Sequence, residues 1–348
     1  MNRPSFKNDY SEGALPSILD MIVDTNKKGI DGYSTDEYCD KARDMIRKEV
    51  GRDDADVHFI SGGTQCNLLA ITAALRPYQA VIACDSGHIN VHETGAIEAA
   101  GHKVITAPAV NGKLTVDSIR RIVAEHEDEH MVKPAMVYIS NATEVGTVYT
   151  LEELTVLSEA CRELGLLFYM DGARLGSAMQ GKNGNFTMKD LGRLCDAFYI
   201  GATKNGGMMG EAMVMLHPAF KDNFRFMIKQ RGALMAKGWL LGMQFIGLFE
   251  NGDWYRCAAH AVEMANRLAD GLRPLADKGV NLMFEPESNL LFVSMPVAVG
   301  EEMLTRYRFE WFGLPENGRR GIRLVTSWAT PADRVDAFLA DLNQILAR

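Results

Sequence analysis

The chain has 348 residues, 47% of them apolar and 24% charged, a globular composition that excludes a disordered, collagen-like or disulfide-scaffold protein. Its 37 Lys and Arg against 45 Asp and Glu leave a net charge of −8, so no global basic field exists to draw nucleic acid or an anionic membrane. The expected partner is a small molecule, and the length suits two domains or one large α/β unit with a smaller appendage.

Residues 14–26 and 35–50 read as helices joined by the Gly-rich turn 29–34. They predict an N-terminal arm, residues 1–50, packed beside a large domain. From there β-rich runs at 57–61, 80–84, 103–106, 135–140, 166–170, 197–200 and 211–216 alternate with helical patterns at 64–75, 93–100, 115–127 and 151–163, the last stopped by Gly165. This alternation predicts a mainly parallel, helix-covered α/β sheet in a domain spanning 51–250. After Pro218 the pattern changes to long helices at 239–250 and 254–275, strands at 289–295 and 322–326, and a closing helix at 331–346. That tail predicts a smaller α+β domain over 251–348. Cysteines 39, 66, 84, 161, 195 and 257 are scattered, without a C-x-x-C pair, which fits a reducing cytoplasm. The N-terminus lacks an apolar core, and the apolar stretch 234–249 is interrupted by Lys237 and Gln244, so neither a signal peptide nor a membrane span is expected.

Three segments carry chemistry. Ser61-Gly62-Gly63-Thr64 lies between a predicted strand and a helix, where free amides and the positive helix end converge into an anion cradle; a plain capped turn explains the same letters. The G-x-G-x-x-G and Walker patterns are absent. Asp171, in Met170-Asp171-Gly172-Ala173-Arg174, sits at a strand's C-terminal end, where ligands of parallel sheets bind, although an Asp there can also cap the next helix. Lys204, in Ala202-Thr203-Lys204-Asn205-Gly206, follows another strand among small residues. Poor solvation lowers a lysine's pKa and suits an amine nucleophile. An anion site, a carboxylate and an amine in this order are what pyridoxal phosphate requires.

On these residues the chain resembles the threonine aldolase and β-eliminating lyase group of fold-type I pyridoxal-phosphate enzymes. The resemblance runs from Asn8-Asp9 to the C-terminal helix through SGGTQCN at 61–67, GHINVHETG at 87–95, TEVGTVYTLEEL at 143–154, DGAR at 171–174, ATKNG at 202–206 and IRLVTS at 322–327. It is nearest the phenylserine and low-specificity threonine aldolase branch. The resemblance implies that Lys204 attaches the cofactor, Asp171 pairs with its pyridine nitrogen, Gly63, Thr64 and Thr203 hold its phosphate, and His88 stacks on its ring. Arg174 and Arg323 would bind the substrate carboxylate. A second histidine carried by several members is replaced by Glu144, and a serine before the N-terminal aspartate by Asn8, whose amide can still donate to a carboxylate. Lys237, with Arg231 near it, and Tyr33 are candidates to reach a neighbouring subunit's pocket. These features imply a homodimer or homotetramer with active sites at the dimer interface.

The expected reaction is cleavage of an L-β-hydroxy-α-amino acid into glycine and an aldehyde, with His88 the leading base and Glu144 or His92 behind it. β-Elimination or racemisation on the same site is the nearest alternative, and a non-catalytic homologue is a third. No metal is expected. His126-Glu127-Asp128-Glu129-His130 matches H-E-x-x-H, but its acidic, polar setting reads as a solvated helix end.

Overall fold

The structure, a computed structural model, describes residues 3–348. Seven strands form the large sheet: β1 Asp56–Ile60, β2 Gln79–Cys84, β3 Lys103–Ala107, β4 Lys133–Ser140, β5 Leu167–Asp171, β6 Ala197–Gly201 and β7 Glu211–Met215. Their order is β1-β7-β6-β5-β4-β2-β3. Pairs β2–β3, β2–β4, β4–β5 and β5–β6 are parallel, and β7 runs antiparallel to both β6 and β1. Helices cover both faces, so the strands are apolar throughout: β6 and β7 are buried at every position. The sequence pattern placed all seven. Local signals fix the helix ends. Thr150 and Glu153 form a capping box at the start of Leu151–Leu164, and Gly165 ends it with a left-handed φ of 66°.

The expected helix over 93–100 is not continuous. It shrinks to the single turn Ala96–Ala99, separated from an earlier turn, His88–Val91, because Thr94 (φ 54°) and Gly95 (φ 69°) are left-handed. The helix Asp253–Leu272 tightens into a 3₁₀ segment, Arg273–Lys278, where Pro274 has no amide to continue the α pattern.

The smaller C-terminal domain carries β8 Asn281–Leu282, β9 Leu290–Pro296, β10 Glu310–Glu316 and β11 Arg319–Val325 in the order β10-β11-β9-β8. Its core joins Leu268 and Leu272 to Val293, Leu324, Phe338 and Leu342. Phe6 belongs to that same core. Its amide donates to the Arg308 carbonyl at 2.7 Å, and its carbonyl accepts from the Val325 amide at 2.9 Å. The first described residues therefore run along the small sheet, whereas the helices Pro16–Thr25 and Glu37–Val50 pack on Trp239–Phe249 of the large domain. Among the described residues no helix is long and apolar enough to cross a membrane.

Candidate active site

The C-terminal ends of β1, β4, β5 and β6 open on one edge of the sheet, and β7 begins there, with Glu211 in register with both Ile60 and Gly201. A cavity of about 250 Å³ occupies this edge, lined by Gly63, Thr64, His88, Glu144, Asp171, Arg174, Thr203, Lys204 and Glu211 among others. Chain direction explains the convergence: parallel strands deliver their following loops to the same side.

Asp171, the last residue of β5, is 4% exposed. Tyr199 Oη (2.5 Å) and the Ala173 amide (3.0 Å) donate to its Oδ1, and Tyr138 Oη (2.8 Å) and Asn67 Nδ2 (2.9 Å) donate to its Oδ2. Burial pushes this carboxyl's pKa up, but the nearby His88 and the donors from Tyr199, Asn67 and Ala173 outweigh it and hold it below the usual range. Hydrogen bonds to an ionised group contribute about 1.5–3 kcal/mol each, enough together to offset desolvation.

Lys204 lies in the loop after β6. Its Nζ makes no ion pair among the described residues, and burial, then the charge of Arg174, lowers its pKa. A lowered pKa makes an amine more available as a nucleophile than an ordinary lysine. The helix Gly63–Ala74 points its first turn into the cavity, and the amides of that turn have no partner within the helix. Thr203 Oγ1 accepts from the Gly210 amide at 3.1 Å and lines the same space.

His88 Nδ1 lies 2.7 Å from Glu93 Oε1, and its backbone amide donates to Glu144 Oε1 at 3.0 Å. Burial lowers the imidazole pKa, but the Glu93 hydrogen bond and the charge of Asp171 more than reverse this, leaving it raised. Glu144 also accepts from Ser140 Oγ at 2.6 Å; burial raises its pKa. Arg174 directs a fork at Asp9: Nε donates to Oδ2 at 2.7 Å and Nη2 to Oδ1 at 3.0 Å. Asp9 is 1% exposed and also accepts from Asn289 Nδ2 at 3.0 Å.

Other predicted residues lie outside this cavity. Arg323 Nη2 is bound to Glu310 across β10 and β11, while its buried Nε has no hydrogen-bond partner. Asn8 Oδ1 accepts from the Tyr10 amide and Ser11 Oγ, closing a turn. Tyr33 is exposed with Lys229 Nζ 4.6 Å from its ring centroid, and Lys237 and Arg231 are exposed. His92 is exposed with its ring 5.5 Å from that of His88. The H-E-x-x-H match begins at the end of the helix Val116–Glu125, where His126 Nδ1 meets the Ile122 carbonyl at 2.8 Å, and continues as exposed turn.

Sequence reasoning missed Asp9, Asn67, Glu93, Tyr138, Tyr199 and Glu211. Asn67 and Glu93 stand inside quoted motifs, which was the available signal. The tyrosines read only as strand residues. His88, Glu93 and Asp171 place ligand atoms within 4.8 Å of one another, but His88 and Glu93 are bonded to each other and Asp171 is filled by its donors.

The site fits pyridoxal phosphate: an ionised buried carboxylate for a cationic ring nitrogen, an unpaired amine, and a free helix N-terminus for a phosphate. The chain matches the family model described as beta-eliminating lyase over residues 18–296. It is 34% identical over 345 residues to the low specificity L-threonine aldolase of a Pseudomonas species, covering 98% of each chain. To the low specificity L-threonine aldolase of Pseudomonas aeruginosa it is 33% identical over 344 residues, 98% of this chain and 97% of the relative. A solved structure of Leishmania major threonine aldolase shares 48% identity and a TM-score of 0.96 over 99% of both chains. With relatives aligned end to end and this cavity at its sheet edge, the protein belongs to the beta-eliminating lyase family and has the fold-type I α/β architecture.

Proposed function

We propose that the protein is a pyridoxal-phosphate-dependent aldolase that cleaves an L-β-hydroxy-α-amino acid of the threonine, allo-threonine or phenylserine type into glycine and an aldehyde. The observation that carries this reading is the convergence of Lys204, Asp171, Arg174 and His88 in one cavity, in a chain whose full-length relatives are threonine aldolases.

Bound pyridoxal phosphate supplies an electron sink conjugated to the substrate's α-carbon. Lys204 provides the amine of attachment, kept reactive by its lowered pKa. Asp171, held ionised, keeps the ring nitrogen protonated. The first turn at Gly63 and Thr64, with Thr203, holds the phosphate. Arg174 retains Nη1 for the substrate carboxylate once Asp9 has taken its other edge; Arg323, whose Nε has no partner, and Asn8 are the further candidates for that group. His88, with Nδ1 engaged by Glu93, has Nε2 free to take the β-hydroxyl proton, and Glu144 is the second candidate. The relatives' names favour the aldolase over elimination or racemisation at the same site. We further assign a homodimer or homotetramer in which Lys237 and Tyr33 serve a neighbouring subunit's pocket, and a reducing cytoplasmic setting, supported by six buried, unpaired cysteines.

The test is spectroscopic. The protein should show a near-visible cofactor band that moves to longer wavelength with glycine, and borohydride should fix the cofactor to Lys204. Lys204→Ala should abolish that fixation; cofactor still trapped on the variant refutes the assignment.

A further inference from the structure

Glu211 has no part in the steps above, yet it lines their cavity. It opens β7, is 4% exposed, and is fixed by strand register beside Gly201, three residues before Lys204. Its Oε2 accepts from the Ala202 amide at 3.1 Å. No ion pair to it exists among the described residues. A buried carboxyl without a fixed cation is costly as an anion. Accepting one amide does not require an anion, since the oxygen of a glutamine would do the same.

We propose that Glu211 is the proton store for Lys204, a carboxylic acid while Lys204 is an unprotonated amine and a carboxylate while Lys204 is an ammonium. This inference rests on the aldolase reading. When Lys204 is released as a free amine, the proton on the Glu211 carboxyl passes to Nζ by way of water in the cavity that both groups line, and the resulting ammonium gives a proton to the α-carbon that becomes glycine. The β-hydroxyl proton is meanwhile taken by His88, so the site gives one proton and receives one in each turnover. His88 and Glu211 return to their starting states by exchange with solvent after product leaves. Glu211 touches neither substrate nor reacting carbon and acts through Lys204.

The surrounding charges support this division of labour. Lys204 and Asp171 face Glu211 in the cavity, Cys66 faces it from the helix Gly63–Ala74, and Tyr169 and Tyr199 face it from β5 and β6. Burial pushes the cysteine and both tyrosines well above their ordinary values, so they stay neutral. Asp171 stays ionised. Burial pushes Glu211 up to about 8, against the lowering effects of Thr203 and Lys204, while Lys204 is pushed down. The two groups are thereby brought toward a common range in which one proton can be shared.

The experiment measures reductive methylation of Lys204 in cofactor-free protein as a function of pH, read by peptide mass spectrometry, in wild type and Glu211→Gln. Loss of the carboxylate removes one of the three carboxyl groups that favour the ammonium against burial and the charge of Arg174, the others being those of Asp9 and Asp171, so the midpoint should fall by about half a pH unit or more. In the cofactor-loaded variant, exchange of glycine's α-proton with deuterium oxide should slow by ~100-fold while borohydride still fixes the cofactor. An unchanged methylation midpoint in folded Glu211→Gln overturns the proposal. If that variant does not fold, infrared titration of wild type with carboxyl-labelled glutamate must reveal a buried acid that ionises near pH 8 and persists in Glu144→Gln; absence of such an acid is equally decisive. Failure of borohydride to fix cofactor on wild-type Lys204 would instead refute the aldolase reading, which separates the two outcomes.

Discussion

His88 shows how a single buried neighbour sets the chemistry of an exposed-edge residue. Glu93 Oε1 accepts from Asn67 Nδ2 at 2.7 Å and meets His88 Nδ1 at the same distance, so one carboxylate oxygen connects the imidazole to the Asn67 that also serves Asp171. This fixes the ring's tautomer and supports its positive form. Glu93→Gln removes the charge and keeps the size. Burial, already the largest influence on His88 and a lowering one, then faces only Asp171, and the imidazole pKa falls. A base works when neutral, so the acid limb of kcat/KM should move to lower pH, by about half to one pH unit. A limb that stays in place would show that His88 is not the titrating base. Neither Glu93 nor Asn67 was legible as a site residue, although both stand in recognisable motifs. Their meaning lies in where the chain turns back after His92, and the left-handed Thr94 and Gly95 that make that turn carry no strong signal in the letters.

At the scale of elements, the strands were readable because burial on both faces writes continuous apolar runs between turn residues. β10 was not, since Glu310–Glu316 is an edge strand, largely exposed, containing Gly313 and Pro315, with Leu314 87% exposed. The contact between the helix Gly63–Ala74 and β6 is the element-level feature that builds the cofactor site. A Cβ on Gly63 would stand 2.7 Å from Tyr199 Oη, and that hydroxyl donates to Asp171 at 2.5 Å. Glycine therefore lets the phosphate cradle and the Asp171 donor system occupy adjacent positions. Gly63→Ala should displace Tyr199, cost about 1–3 kcal/mol in stability and weaken cofactor retention. Equilibrium dialysis of the cofactor checks this, and retention equal to wild type would show that the helix can move without disturbing Asp171.

Across the whole molecule, Asp9 joins parts that sequence alone holds far apart. The segment carrying it is anchored by Phe6 in the small-domain core, its carboxylate accepts from Asn289 of the same domain, and it forks with Arg174 of the large domain. The motif containing Arg174 was legible, but its partner was not, because contacts across 165 residues of chain leave no periodicity to read. Burial pushes Asp9 up, and Arg174 followed by Lys204 more than compensate, leaving its pKa below the usual carboxylate range. A carboxyl lowered on folding contributes stability that is full above its unfolded pKa and is lost as pH falls through the folded one. Asp9→Ala should therefore remove stability at neutral pH, by about 3–5 kcal/mol for a buried charge left without its partner, and flatten the loss of stability below pH 3.8. If the pair also aims the guanidinium, KM for the amino acid should rise while kcat changes less, because carboxylate binding is weakened before the chemical step. Denaturant unfolding at two pH values together with steady-state kinetics separates the roles. Lost stability with unchanged KM would make the pair an interdomain tie alone, whereas a raised KM in variant protein that remains folded would make the N-terminal segment part of the substrate site.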